Sequence, residues 1–198
     1  MIFMGYDLVA LRIALSVTAD EKALKRRLQG LYFDFPHKRL IASDGHRLFM
    51  CELPACNTSS DPRLFIVRHP VTGKQVHSLP ANWKTVLVDV DTASITDRGS
   101  KASSFVLDEV KDAYFDVDRP ARAAMENYQA DLGPAQARVD SRLLKVGVDG
   151  QMVMTNVHEG VVITFHNLHI NHFLLVMGIS IESPIDQKET IRPLLVHN

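Results

Sequence analysis

Between Leu28 and Leu53 the chain offers apolar residues only in short runs, cut by Pro36-His37-Lys38 and by Asp44-Gly45. Runs this short are poor material for a helix of ordinary length. They suit strands joined by tight turns. Leu28, Leu31, Phe33 and Phe35 predict a first strand, Arg39–Ser43 the returning strand, and Arg47–Leu53 a third extended segment. Gly30, inside the first, marks a bulge or a point where another backbone passes close.

The flanking sequence extends this pattern. Ile2–Met4 reads as a short strand. Leu8, Leu11, Ala14 and Leu15 then recur at helical spacing, with Val9 and Ile13 broadening the face and Asp7 as the predicted N-cap. Further strands are predicted at Leu64–Val67, Thr85–Val90, Thr92–Asp97 and Ser103–Leu107, with Tyr114–Val117 closing the unit before Pro120. Val71–Leu79 is predicted as a short helix, and Trp83 beside Pro80 as a loop anchor. One helix or two against many antiparallel strands is an α+β pattern over residues 1–120. Residues 121–136 are polar and Ala-rich with Gly133-Pro134, and read as a linker. Residues 137–198 form a shorter second unit, with strands predicted at Gln151–Thr155, Val161–His166 and Phe173–Ile179 before a C-terminal tail.

Composition sets the class. With 198 residues, 46% hydrophobic and 23% charged, the chain has ordinary globular composition, and a net charge of −1 gives no overall basic signature. No apolar run approaches the ~20 residues of a membrane-spanning helix. The N-terminus carries Asp7 early and lacks a basic leader, which predicts no signal peptide and a cytoplasmic protein. Cys51 and Cys56 have the wrong spacing for a zinc pair and read as reduced thiols.

Catalytic signatures are weak. G-x-S-x-G, H-E-x-x-H and a Gly-rich phosphate loop are all missing. Ser43, Asp44 and His46 have triad residue types, but near-neighbours in sequence do not supply triad geometry. His158, His166, His169 and His172 cluster in sequence. In an extended segment His166 and His172 share one face and His169 points to the other, so no metal is assigned. Asp89, Asp91 and Asp97, with Asp108 and Asp112, read as the solvated face of strands.

Two stretches carry a family likeness. Lys25-Arg-Arg-Leu-Gln-Gly-Leu-Tyr-Phe-Asp34 and Ser43-Asp-Gly-His-Arg-Leu-Phe-Met-Cys-Glu-Leu-Pro54 resemble the middle domain of the bacterial β sliding clamp. In that family an R-x-x-L-x-G-x-x-F strand and a hairpin lead into T-D-G-H-R-L. Arg63–Pro70 occupies the place of the family's V-I-V-P-R strand, and Leu174–Ser180 that of its terminal V-V-M-P-M-R strand. The resemblance implies a DNA-clamp fold for residues 1–120 and a shortened second clamp-like domain for 137–198. It implies a non-catalytic accessory protein of DNA replication or repair that needs no cofactor.

Its implied partners are DNA polymerase or repair proteins carrying clamp-binding peptides, and duplex DNA. The implied peptide pocket is Leu28, Ser43, His46, Arg47, Leu48, Pro120, Leu175 and Met177. The implied phosphate contacts are Arg12, Lys22, Lys25 and Arg26, with Arg27 beside them. Family rings carry six domains, so a closed ring here would require a homo-oligomer such as a trimer of two-domain chains. Two other readings stand beside this one. One is a clamp-fold interaction module that does not encircle DNA. The other is a small metal-dependent enzyme built on the His or Asp clusters.

Overall fold

The computed structural model describes residues 1–55, 61–99, 103–111, 152–157, 160–165 and 172–177, with Arg119 and Leu144. Eleven strands form one sheet: β1 (Ile2–Met4), β2 (Leu31–Asp34), β3 (Arg39–Ser43), β4 (Arg47–Glu52), β5 (Arg63–Arg68), β6 (Thr85–Asp89), β7 (Ser94–Asp97), β8 (Ser104–Val110), β9 (Met152–Val157), β10 (Gly160–Phe165) and β11 (His172–Met177). Every strand pairing is antiparallel, in the order β1-β6-β7-β8-β5-β2-β3-β4-β11-β10-β9. The α-helix α1 (Gly5–Val17) packs on β1, β3, β4 and β6.

The topology contains a hidden duplication. The first half runs β1, α1, β2, β3, β4, and the second runs β5, residues 69–84, β6, β7, β8. Each half sends its opening strand into the other: β1 pairs with β6, and β5 with β2. The halves are therefore interlocked, and neither can complete its sheet alone.

The second half has no helix where the first has α1. The predicted helix at Val71–Leu79 is instead a turn and an irregular stretch. The chain reverses here instead: Gly73 takes φ +66°, His69 N–H donates to the Lys74 carbonyl, Gly73 N–H donates to the His69 carbonyl, and Gln75 bridges back to Arg68. Leu79 and Trp83 are both buried in the main core. Trp83 is buried against Phe105, with ring centroids 5.3 Å apart, so it anchors the loop as expected.

Two other local expectations are corrected. Leu28 lies in a 3-10 turn, Arg26–Leu28, and β2 starts only at Leu31, because the Leu28 amide closes a tight turn onto Lys25. Asp7 is not the N-cap. The helix starts at Gly5, with Met4 in the cap position, and Asp7 lies inside its first turn.

Burial explains the strand pattern. Leu40, Ala42, Phe49, Cys51, Leu174 and Val176 join α1 in the main core with Phe33 and Phe65, whose rings meet edge-on at 5.9 Å. The alternate residues Ile41, Leu48 and Met50 are buried too, so β3 and β4 are covered on both faces. Such strands read as continuous apolar runs. In β6, by contrast, Val86 and Val88 are buried while Leu87 and Asp89 are partly exposed, the alternation of a half-buried strand.

Gly30 is a close-approach position. A Cβ there would lie 2.7 Å from the Phe65 carbonyl oxygen and 2.8 Å from Leu64 Cδ1. Strands β9–β11 belong to the same sheet as the rest, joined to it through the β4–β11 pairing. The 121–136 linker and the Tyr114–Val117 strand lie outside the described residues.

Candidate functional site

The turn between β3 and β4 is built by its own side chains. Ser43 Oγ donates to the Arg47 carbonyl at 2.7 Å and accepts from Gly45 N–H at 3.1 Å. Asp44 Oδ1 accepts from His46 N–H at 2.9 Å and Arg47 N–H at 2.7 Å. Gly45 takes φ +93°, a conformation that a Cβ would strain. Asp44 Oδ2 receives Arg47 Nε at 2.7 Å, and Arg47 Nη2 reaches on to the Ser16 carbonyl in the last turn of α1 at 3.0 Å. Ser43, Asp44, Gly45 and Arg47 are thus engaged in holding the turn. His46 is its exposed tip.

This changes the role of two predicted pocket residues. Ser43 is buried with its hydroxyl spent inside the turn. Arg47 precedes Leu48 on one strand, so the two point to opposite faces. The Arg47 guanidinium goes to the α1 side, where it cannot share a wall with the Leu48 side chain.

Some of the residues assigned to the pocket are neighbours in the sheet. Ser43 pairs with Leu48 across β3 and β4, and Leu48 pairs with Leu175 across β4 and β11. Residues 127 apart in sequence therefore sit side by side on one face, as directly opposed residues do. Leu48 and Leu175 are both buried, at 5% and 4% exposure. Leu28 approaches from the 3-10 turn. Its Cδ1 would be 3.4 Å from a Cβ at Gly45. Met177 ends β11 opposite Gly160. Pro120 lies outside the described residues.

The predicted phosphate contacts separate into two kinds. Arg12 Nη2 donates to the Pro80 and Trp83 carbonyls at 2.9 and 3.1 Å, so it fastens residues 80–83 to α1. Arg26 pairs with Asp108 at 3.0 Å, and Asp108 also receives Arg68 at 2.8 Å. Lys22 and Lys25 are exposed, with no ion pair among the described residues.

Sequence reading missed the node these groups form. Arg68 joins Asp108 to Glu21, and Gln75 Nε2 donates to the Ala19 and Gln29 carbonyls. Its members come from four separate segments, so no local spacing announces it.

The reactive groups do not converge. The Cys51 thiol is pushed up by burial and by the Asp7 and Glu52 carboxylates, and stays protonated. Among the described residues no three His, Cys, Asp or Glu side chains form a metal-holding group. Cys56, Asp112, His158, His166 and His169 lie outside those residues. Asp89 accepts the Asp91 and Thr92 amides, Asp97 that of Gly99, and Asp108 holds two arginines. The acidic residues are turn and ion-pair partners.

Solved structures share this arrangement of strands. The β chain of DNA polymerase III from Streptococcus pneumoniae TIGR4 superposes with a TM-score of 0.55 at 13% identity, over 91% of this chain and 64% of that one. The DNA polymerase sliding clamp of Pseudomonas aeruginosa gives 0.53 at 14% identity, over 91% and 66%. The fold is that of the bacterial sliding clamp. A second P. aeruginosa clamp structure, bound to griselimycin, gives 0.52 at 12% identity, over 91% and 65%. The chain therefore spans slightly less than two thirds of these clamps' length. No family model matches the sequence, and no curated protein matches it either. The clamp fold expected from the Ser43–Pro54 stretch is thus met at the level of structure, where overall sequence similarity is too low to register.

Proposed function

We propose that this clamp-fold chain is a non-catalytic accessory module of DNA replication or repair, which docks short linear peptides of partner proteins beside the β3–β4 turn. The reading is carried by one observation. The β4–β11 pairing sets Leu48 and Leu175 in register directly behind the turn that displays His46. An apolar floor with one exposed hydrogen-bonding group at its lip suits a peptide anchored by an aliphatic or aromatic side chain. In this reading Leu28 closes one end of the site, and Met177, on the same strand as Leu175, supplies a polarisable side chain suited to varied anchors. A solved clamp of the same fold holds griselimycin, which supports a ligand-docking role for such a scaffold.

The test is fluorescence anisotropy with a labelled clamp-binding peptide. Binding in the micromolar range is expected. His46→Ala is expected to weaken it about fivefold, the loss of roughly one hydrogen bond of ~1 kcal/mol. Because His46 is exposed, an unchanged melting curve will show that the variant is folded. A folded protein that ignores the peptide refutes the docking site.

Duplex association is the secondary part of the proposal and rests on Lys22, Lys25 and Arg26. Arg12 contributes to it least, since its guanidinium already serves two carbonyls. That observation favours, as a second reading, a clamp-fold interaction module that does not encircle DNA. Mass measurement in solution separates them: a cyclic oligomer supports encirclement, and a monomer supports the simpler module.

A further inference from the structure

Two loops distant in sequence are tied together on one side of the molecule. Glu21 Oε1 accepts from Arg68 Nη1 at 2.8 Å and from the Gln75 amide at 2.9 Å, while Arg68 Nη1 also donates to the Gly73 carbonyl at 2.9 Å. The tie holds the loop of residues 20–25 beside the turn of residues 69–74. Each carries an aliphatic side chain surrounded by water: Leu24 is 103% exposed and Val71 is 86% exposed. The next most exposed large apolar residue among those described, Met4, reaches 60%.

The charges around these tips do not cancel. Arg26 and Arg68 neutralise Asp108 and Glu21. Lys22, Lys25, Arg27 and Lys74 have no ion pair among the described residues and face a single remaining carboxylate, Asp20, whose Oδ1 accepts the Lys22 amide. Four cations against one anion leave a local excess of three positive charges in a chain whose net charge is −1.

We propose that these paired loop tips form a surface that seats reversibly on an anionic lipid layer. Leu24 and Val71 enter the boundary below the headgroups, and Lys22, Lys25, Arg27 and Lys74 meet the lipid phosphates. The shape argues for this occupant. Side chains this exposed have no wall beside them, so they cannot line a groove for an incoming peptide; they can only insert. A duplex offers phosphates to the cations but nothing apolar to the two aliphatic tips. An anionic bilayer surface offers both, and long basic side chains reach its headgroups while their stems stay in apolar surroundings. Two small aliphatic groups and three net charges make a weak, salt-sensitive contact rather than an anchor. This surface is separate from the β3–β4 docking site and stands or falls independently of it, but it shares Lys22 and Lys25 with the duplex contact and competes with it for them.

The experiment is co-sedimentation of the full chain with phosphatidylcholine vesicles, with and without phosphatidylglycerol, at low and high salt. Anionic vesicles are expected to bind on the order of a hundredfold better than neutral ones, about fivefold per net charge. Leu24→Ser with Val71→Ser is expected to reduce that binding at least tenfold. Both residues are solvent-exposed, so the variant is expected to melt as the parent does. Three results overturn the proposal: no preference for anionic vesicles, binding that the two serines leave unchanged, or loss of duplex DNA retention in the serine variant. Concentration-dependent self-association abolished by Leu24→Ser, with no vesicle binding, also overturns it and assigns the tips to a second copy of the chain.

Discussion

Gly30 shows how much one missing methyl decides. Its neighbour across the strand is the Phe65 backbone, which cannot rotate away from an added Cβ at 2.7 Å. Gly30→Ala is therefore expected to cost about 1–3 kcal/mol by forcing β2 and β5 apart, a fall of roughly 2–12 °C in melting temperature. An unchanged melting temperature would show that the two strands do not lie this close. Asp7 gives a pH-dependent counterpart. Burial, then repulsion from Glu52, raises its carboxyl above the usual range. A raised acid stabilises the fold only while protonated, so its contribution is present below the unfolded pKa and is lost as pH rises through the folded one. Asp7→Asn is expected to raise the melting temperature at pH 7 and to have little effect below pH 3.5. Thermal melts at the two pH values check the sign.

At the scale of elements, the β3–β4 turn behaves as a single device. Arg47 is its keystone, joining Asp44 to the last turn of α1. Arg47→Ala removes a partly buried ion pair and leaves Asp44 uncompensated. A loss of about 1–3 kcal/mol is expected, with faster hydrogen exchange at the residue 44–47 amides. If those amides keep their protection, the turn does not depend on Arg47.

Much of this level was legible in the sequence. Short apolar runs and the Pro36 and Gly45 breaks located β2, β3 and β4 because their determinants are local. The helix expected at Val71–Leu79 failed because Val71, Val76 and Leu79 have a helical look, whereas Gly73 sets a reversal that the bridge between Arg68 and Gln75 completes. The roles of Ser43 and Arg47 were hidden for a related reason. The sliding-clamp resemblance implied contact with a ligand, and only the hydrogen bonds of the turn show that both groups are already engaged.

At the scale of the whole molecule, the continuous sheet brings Leu48 and Leu175 together across a separation of 127 residues. Such pairing is invisible to local pattern, and it entered the sequence reading only through resemblance to the sliding clamp. The basic loop is a property of this scale too. If Lys22 and Lys25 meet duplex phosphates, Lys22→Ala with Lys25→Ala is expected to lower the slope of log affinity against log salt by about 2. A titration across salt concentrations measures it, and an unchanged slope removes both residues from any duplex contact.

The docking site itself is tested most directly by photo-crosslinking. A clamp-binding peptide carrying a photoreactive group in place of its apolar anchor would be irradiated on the intact chain, and the adducts mapped by mass spectrometry. Adducts on Leu48, Leu175 and the His46 turn are the predicted result. Adducts confined to other surfaces, from a peptide that binds saturably, would contradict the assignment of the β3–β4 turn as the docking site.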